Sequence, residues 1–343
     1  MPNPVLSDAI DRLASGESLS AAAAAGVLRE VMGGDASDTQ SAAFLIALRT
    51  KGETVDEIVG LARVMRELAV RVDVGSDDLV DTAGTGGGRP TFNISTAAAF
   101  VAAGAGCTVA KHGNRSATGR SGSADVLEAL GARIDLEPAA VADCIEAVGF
   151  GFMFAPHHHL AMRHVIGVRR ELGVRTIFNF LGPLTNPAGA TRQLIGVSDA
   201  RYLKVIAEAL SQLGGRRALV VSSEDGLDEI SASGPTHAVE LGDGATREQV
   251  IEPQALGVEP VPADSLRAGD PDRSAAVLRA VLAGERCPER AVTILNAAAA
   301  IYVGGRAASL ADGARAAEQA LDSGAARAAL ERYVERTRAV APA

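Results

Sequence analysis

The sequence predicts an α/β fold: a mostly parallel central sheet flanked by helices, with a smaller all-helical unit at its N-terminal end. Three observations carry this reading. About the first seventy residues keep apolar positions at helical spacing between cap and stop signals. Beyond Val72, short apolar runs alternate with helical stretches, the pattern of a parallel sheet covered on both faces. Glycine-rich and polar segments cluster at the ends of those runs, where open α/β sheets bind their ligands.

The helical unit is read from its punctuation. Ser37 with Gln40, and Thr54 with Glu57, have the spacing of capping boxes. Gly33–Gly34 and Gly52 stand where helices stop, and Ile58, Leu61, Ala62, Met65 and Leu68 form one apolar stripe. The expected strands are Leu79–Val80, Cys107–Ala110, Gly151–Phe154, Leu194–Val197 and Ala218–Val221, with Thr236–Leu241 a candidate antiparallel strand. The expected helices between them are Ala124–Leu130, Ala139–Val148, Leu203–Leu213 and Ala275–Leu282. Between Thr236 and Val250 the pattern weakens, and from Pro288 onward the chain reads as Ala-rich helix.

Composition bounds the function. The 343 residues are 47% hydrophobic and 22% charged, so the chain is globular rather than disordered. Aromatics are only 3%, with no Trp, so the core must be built from Ala, Val, Leu and Ile. A net charge of −9 argues against a general polyanion-binding surface. Cys107, Cys144 and Cys287 lie far apart with no CxxC pair, which leaves neither a zinc ribbon nor a redox motif and predicts reduced thiols. Neither a basic, apolar leader nor a run of about 20 apolar residues is present, so a soluble, cytoplasmic protein is expected.

Four segments carry candidate chemistry. Asp81-Thr-Ala-Gly-Thr-Gly-Gly-Gly88 follows an apolar strand and precedes a helix expected to begin near Ser95. It matches neither the Walker nor the dinucleotide-binding spacing, and fits either a phosphate cradle or a tight strand–helix turn. Asn93-Ile-Ser-Thr96 supplies small polar side chains suited to capping that helix or to binding an anion with its free donors. Lys111-His-Gly-Asn-Arg115, continued by polar residues and Arg120 to Ser123, offers cations, a glycine and hydroxyls suited to a pyrophosphate. In Asp225-Gly-Leu-Asp-Glu229, adjacent Asp228 and Glu229 are hard oxygen ligands of the type Mg²⁺ uses beside substrate phosphates.

Two further features weigh less. His157-His-His159 places neighbouring side chains in diverging directions, a poor zinc spacing. Arg169–Arg170 reads as a helix end entering a buried turn, where an Arg would clamp a carboxylate in bidentate fashion or simply face solvent.

Taken in order, these segments resemble the anthranilate phosphoribosyltransferase family. The matching stretches are Gly84-Thr-Gly-Gly87, Thr91-Phe-Asn-Ile-Ser-Thr96, Lys111-His-Gly-Asn-Arg115 and Ser121 to Gly131. Further along are Arg175-Thr-Ile-Phe-Asn179, Leu181-Gly-Pro-Leu-Thr-Asn-Pro187 and Asp225-Gly-Leu-Asp-Glu-Ile-Ser231. The resemblance implies a helical domain over 1–73 with a returning segment near 161–182, an α/β domain over 74–343, and a homodimer through the helical domain. It implies transfer of the phosphoribosyl group of phosphoribosyl pyrophosphate to the amine of anthranilate, with Mg²⁺, in tryptophan biosynthesis.

By position, the resemblance assigns the donor to Gly84, Gly87, Thr91, Asn93, Ile94, Ser95, Thr96, Lys111, His112, Gly113, Asn114, Arg115 and Ser123. Lys111 and Arg115 would be the catalytic cations. Gly84, His112, Asn114 and Arg169 would meet anthranilate, and Ser95, Asp228 and Glu229 would hold Mg²⁺. The chain departs from the family pattern at several places. Gly88 and Arg89 stand where the family's glycine loop normally ends in Asp and is one residue longer. Gly119 replaces a small hydroxyl residue, Leu160 a Pro, and Ser222–Ser223 a His-Gly pair. Without the loop Asp the metal count stays open, but one Mg²⁺ site can survive, and a strict dependence on Asp228 and Glu229 is expected. Two rivals remain at this stage: a pyrimidine nucleoside phosphorylase of the same architecture, and a non-catalytic relative that binds nucleic acid. The Gly113-Asn-Arg115 segment and the acidic loop oppose the first, and the net charge opposes the second.

Overall fold

The computed structural model describes residues 1–116, 121–266 and 269–341. Gly119 and Arg120, noted above, lie outside the described residues.

Four helices open the chain: α1 Pro4–Ala14, α2 Ala21–Gly33, α3 Asp38–Lys51 and α4 Val55–Glu67. Thr54 and Glu57 form a complete capping box at the start of α4. Only half of the box expected at α3 forms: the Ser37 hydroxyl accepts from Gln40 N–H, but the Gln40 side chain turns instead to the backbone of Asn3. Glu57 is fully buried, yet its carboxylate is satisfied by Lys51 at 2.9 Å, by Leu19 N–H and by Thr54.

The α/β part follows as β1 Leu79–Gly84, α5 Ile94–Gly104, β2 Thr108–Gly113, α6 Ser123–Ala129, α7 Pro138–Val148 and β3 Phe150–Phe154. The chain then returns to the helical unit through α8 Ala155–His158, α9 Ile166–Leu172 and α10 Phe178–Leu184. It re-enters the sheet at β4 Arg192–Gly196, followed by α11 Leu203–Gln212, β5 Arg217–Ser223, β6 Thr236–Gly242 and β7 Ala245–Ile251. Four helices finish it: α12 Pro271–Leu282, α13 Pro288–Val303, α14 Leu310–Asp322 and α15 Ala325–Val340.

The sheet order is β3-β2-β1-β4-β5-β6-β7, parallel through β5 and antiparallel for β6 and β7. All five expected parallel strands and the candidate antiparallel strand are present. The strand missed from sequence is β7, most of whose residues are exposed. Alternate residues serve opposite faces: Leu219 and Val221 join one apolar cluster with α5, α13 and α15, while Ala218 and Val220 join the other with α4, α10 and α11. Small residues let the helices meet nearly backbone to backbone. A Cβ added to Gly104 would lie 2.7 Å from Ala326 N, and one added to Gly313 would lie 2.4 Å from Ala298 O.

From β1 the chain winds outward through β2 and β3, then crosses back to β4 and winds the other way. The β1/β4 boundary is therefore where strand order reverses, and open α/β sheets bind their ligands beyond the C-terminal ends of the strands at such a point. The glycine loop follows β1, Gly196 ends β4, and the acidic loop follows β5.

Candidate active site

The glycine loop and the acidic loop are built against each other. Thr85 N–H donates to Gly196 O at 2.8 Å, and Arg89 N–H donates to Gly226 O at 3.0 Å. The backbone N–H of Gly86 faces Asp228 and helps to hold its pKa down. A Cβ on Gly84 would come within 2.9 Å of the Asp228 carboxylate, and one on Gly88 within 2.3 Å. Gly196 meets the tightest approach, since a Cβ there would lie 1.6 Å from Asp228 O. Gly86 and Gly87 have φ of +67° and +89°, a left-handed geometry that disfavours other residues. Gly84, Gly88 and Gly196 are needed because the acidic loop lies directly on their backbone, whereas Gly87 makes room for the Arg175 guanidinium.

Within the acidic loop, the carboxylates divide by role. Asp225 is consumed locally, accepting from Ser223 Oγ at 2.6 Å and Ser231 Oγ at 2.7 Å. Asp228 and Glu229 remain, and burial raises the pKa of both. Glu229 is pushed up to about 8, by burial first and then by its neighbour Asp228, while Lys111 and the N–H of Ser95 oppose the rise. Asp228 is held down in part by Arg175.

Lys111, Ser95 and Glu229 come together, but not as a loop of free cations. Lys111 belongs to β2, and its side chain is 2% exposed, the most buried cation at the site. Its ammonium donates to Thr82 O, and at 3.2 Å to both Thr82 Oγ1 and Ser95 Oγ. Burial pulls its pKa down, while Asp81 and Glu229 pull it back up. Asp81 is fully buried, accepts from His112 N–H at 3.1 Å and Asn186 Nδ2 at 2.8 Å, and is pushed up to about 6 chiefly by burial.

Asn93 stands at the N-cap of α5, yet its side chain does not cap the helix. Its Oδ1 accepts from Ser121 Oγ at 2.9 Å and Ser274 Oγ at 2.6 Å, and its Nδ2 donates to Ser121 O. Of the two readings open for Asn93-Ile-Ser-Thr96, side-chain capping by Asn93 is not used. Ile94 and Thr96 are buried in the first turn, and Thr91 is half-buried in the approach to it.

The rest of the Lys111–Arg115 segment forms a second grouping. Gly113 admits no side chain, because a Cβ would lie 2.2 Å from Ser123 Oγ, and that hydroxyl donates to Asn114 O at 3.3 Å. Asn114 Oδ1 accepts from Arg115 N–H. The Arg115 guanidinium is paired with Asp125 at 2.9 Å and Glu128 at 2.5 Å and sits over the Phe154 ring. The sequence expectation of an available cation therefore holds only if Arg115 exchanges these carboxylates for another anion.

His112 is buried, with Nδ1 3.1 Å from Gly182 O and its ring 5.1 Å from that of His159. A carbonyl only accepts, so Nδ1 carries the proton and Nε2 keeps its lone pair. Nε2 is buried and has no partner among the described residues. Burial holds its pKa well below the usual imidazole value. Arg169 lies near the end of α9, which stops at Gly173, so the expected helix end is present. Its half-buried guanidinium lies 5.2 Å over the Phe178 ring and pairs with no carboxylate among the described residues.

Two residues went unread as site residues. Gly196 is an isolated glycine in an apolar run, a spacing that signals close backbone approach. Arg175, in a stretch quoted only for its resemblance, donates from Nη1 to Gly86 O and from Nη2 to Thr85 O at 3.1 Å.

Comparison with known proteins covers nearly the whole chain. Residues 7–69 match the helical bundle domain of the glycosyl transferase family, and residues 76–327 match its a/b domain. An anthranilate phosphoribosyltransferase from Rubrobacter xylanophilus is 55% identical over 339 residues, covering 98% of this chain and 99% of the relative. One from Halorhodospira halophila is 50% identical, again over 98% and 99%. The crystal structure of the anthranilate phosphoribosyltransferase of Thermus thermophilus superposes with a TM-score of 0.91 at 45% identity, over 96% of this chain and 99% of that one. The Saccharomyces cerevisiae enzyme in complex with PRPP and Mg superposes at 0.89 with 27% identity, over 97% and 98%. By its helical bundle, its reversed-order sheet and the glycine and acidic loops that meet at the β1/β4 boundary, the chain belongs to the anthranilate phosphoribosyltransferase family.

Proposed function

We infer that the chain transfers the phosphoribosyl group of phosphoribosyl pyrophosphate to the amine of anthranilate, releasing pyrophosphate, in tryptophan biosynthesis. The observation that carries this is the packing of the glycine loop on Asp228, which sets backbone donors and hard oxygens side by side at the sheet's reversal point.

The donor set fits Mg²⁺. Asp228, Glu229 and Ser95 supply only oxygens, few enough that the ion would keep waters and substrate phosphates in its shell. Two adjacent buried carboxylates with raised pKa values form a site that a dication would neutralise. When bound, the metal supplies charge compensation for the departing pyrophosphate.

The protein's own residues do the positioning. Breaking the ribose C1–O bond leaves an oxocarbenium-like centre and a polyanion, so no enzyme nucleophile is required. The glycine-loop N–H groups and the start of α5 face the anion with fixed partial charges. Lys111 holds Ser95 and faces Glu229, keeping the first turn of α5 registered on the acidic loop. Arg169, free of carboxylate partners among the described residues, clamps the carboxylate of anthranilate. Neutral His112, with its Nε2 lone pair, and Asn114 fix the ring and amine. The amine attacks as the neutral species, and the enzyme's contribution is alignment and electrostatic stabilisation.

The division into a helical domain (1–73, with the return near 161–182) and an α/β domain (74–343) belongs to the same reading. So does a homodimer through the helical domain, supported by exposed Val5 on α1, Ile46 on α3 and Ile166 on α9. The reading places the enzyme in the cytoplasm, where its three unpaired cysteines stay thiols. The test is loss of anthranilate fluorescence with and without phosphoribosyl pyrophosphate and Mg²⁺. Loss that depends on the donor supports the assignment. Phosphorolysis of thymidine or uridine in its place would replace the reading with the nucleoside phosphorylase.

A further inference from the structure

Arg175 lies in the short segment between α9 and α10, outside every role assigned above. Its guanidinium grips the glycine loop by two successive carbonyls, Thr85 O and Gly86 O. It is packed so closely that a Cβ on Gly87 would lie 2.0 Å from its Nη1. Among opposing charges Asp228 attracts it most, and Asp199 adds to the attraction.

This contact has a geometric consequence. In a trans peptide the C=O and the following N–H point in opposite directions. Turning the carbonyls of Thr85 and Gly86 toward Arg175 therefore turns the N–H groups of Gly86 and Gly87 away from it. The first of these then faces the acidic loop, where it helps to hold the pKa of Asp228 down. Gly86 and Gly87 have positive φ and no Cβ, so nothing in their own side chains fixes those peptide planes. Arg175 supplies the missing constraint. A planar guanidinium presents its donors in a rigid fork that fixes two acceptors in one plane, a geometry an ammonium does not impose.

Arg175 is itself held from the helical unit. Arg49, exposed on α3, donates from Nη1 to Arg175 O at 2.9 Å. A continuous line thus runs from α3 through Arg49 and Arg175 to the glycine loop and the acidic pair.

We propose that Arg175 is the positioning residue for the phosphoribosyl-donor site: it fixes the peptide planes of the glycine loop, setting the Gly86 N–H toward Asp228 and the Gly87 N–H toward the pyrophosphate, and links that loop to the helical unit through Arg49. The proposal rests on the transferase reading, so wild-type activity is measured first. Donor-dependent loss of anthranilate fluorescence establishes the reading whatever the variants do.

Arg175→Gln should raise the KM for phosphoribosyl pyrophosphate about 10- to 100-fold, the range for losing hydrogen bonds to a charged group. The KM for anthranilate should move by less than about threefold, since Arg169 and His112 are untouched. Arg175→Lys keeps the charge beside Asp228 but loses the fork. It should restore the Mg²⁺ half-saturation point while leaving the donor KM raised. Arg49→Ala, at an exposed position that does not threaten folding, should raise the donor KM in the same direction by a smaller factor. Titration calorimetry with Mg²⁺-pyrophosphate should show the same order of weakening: Arg175→Gln, then Arg175→Lys, then Arg49→Ala. The proposal is overturned if both KM values change equally. A lower melting temperature with an unchanged donor KM would likewise reduce Arg175 to a structural role, and full rescue of the donor KM by Lys would remove the fork from the account.

Discussion

The Lys111 ammonium donates to the Ser95 hydroxyl at 3.2 Å, tying the middle of the sheet to the first turn of α5. It does so from a position 2% exposed, where the same ammonium also serves Thr82. In the proposed reaction its influence would therefore be exerted largely through Ser95 and Glu229.

Replacing Lys111 by Met removes the cation but keeps an unbranched apolar side chain. Thr82 O then loses a donor, and Glu229 loses a counter-charge that opposes its protonation. We expect kcat to fall about 10²- to 10³-fold, in the range for losing one preorganised electrostatic group. Unfolding should also become easier by about 1–3 kcal/mol, the cost of leaving a buried acceptor without its donor. Steady-state kinetics with urea denaturation checks both, and near-wild-type kcat would remove Lys111 from the active site.

Asp228→Asn combined with Glu229→Gln should abolish Mg²⁺-dependent turnover. An unaltered Mg²⁺ response in that double variant would show that the metal is held elsewhere. The structure also qualifies Gly88→Asp, which from sequence alone looks like the simple addition of a ligand. Its Cβ would lie 2.3 Å from Asp228 Oδ1 and 2.7 Å from Asp228 N, so the acidic loop must shift to admit it. Activity should fall at every Mg²⁺ concentration, with the midpoint of the Mg²⁺ titration displaced and the anthranilate KM little changed.

Arg169→Ala should raise the KM for anthranilate about 10- to 100-fold, with a much smaller effect on the donor, because a charge-assisted clamp on one substrate is lost. Equal effects on both substrates would sink the assignment. Arg169→Lys should recover only part of the loss, since the two-pronged geometry is gone.

The buried histidines predict acid sensitivity. Burial lowers the pKa of His159 to about 4, and pulls His158 and His112 down as well. For His159, the unfolded chain binds more protons than the native state between about pH 6.5 and 4. Stability then rises with pH across that window and is lost as pH falls through it. His159→Gln should flatten the pH dependence of the urea midpoint between pH 7 and 4. An unchanged slope would assign the acid sensitivity to other groups.

Most of the sheet was legible because each buried strand is a short apolar run, as at Leu194–Val197. Strand β7 was not, because Thr246, Arg247, Glu248 and Gln249 pair along the backbone while their side chains lack any apolar alternation. At the site, residue type identified what single residues carry on their own, such as the oxygens of Asp228 and Glu229. It did not reveal relationships made by the crossing of distant segments. The need for glycine at 196 comes from Asp228 O, in the loop beyond the next strand, and the grip of Arg175 on Gly86 spans 89 residues. Arg115 shows the converse, because its cationic side chain was read without Asp125 and Glu128, which become its partners only when α6 folds beside it.

The close seams at Gly104–Ala326 and Gly313–Ala298 make the tolerance of this core to substitution asymmetric. Where helices already touch through backbone atoms, even one added methyl has nowhere to go except by prising the helices apart. Trimming an alanine to glycine at the same seams empties very little volume, and its main effect is the loss of helix propensity, about 1 kcal/mol per residue. A library of random variants selected for growth without tryptophan should therefore accept shrinking changes along α5, α13, α14 and α15 and reject enlarging ones.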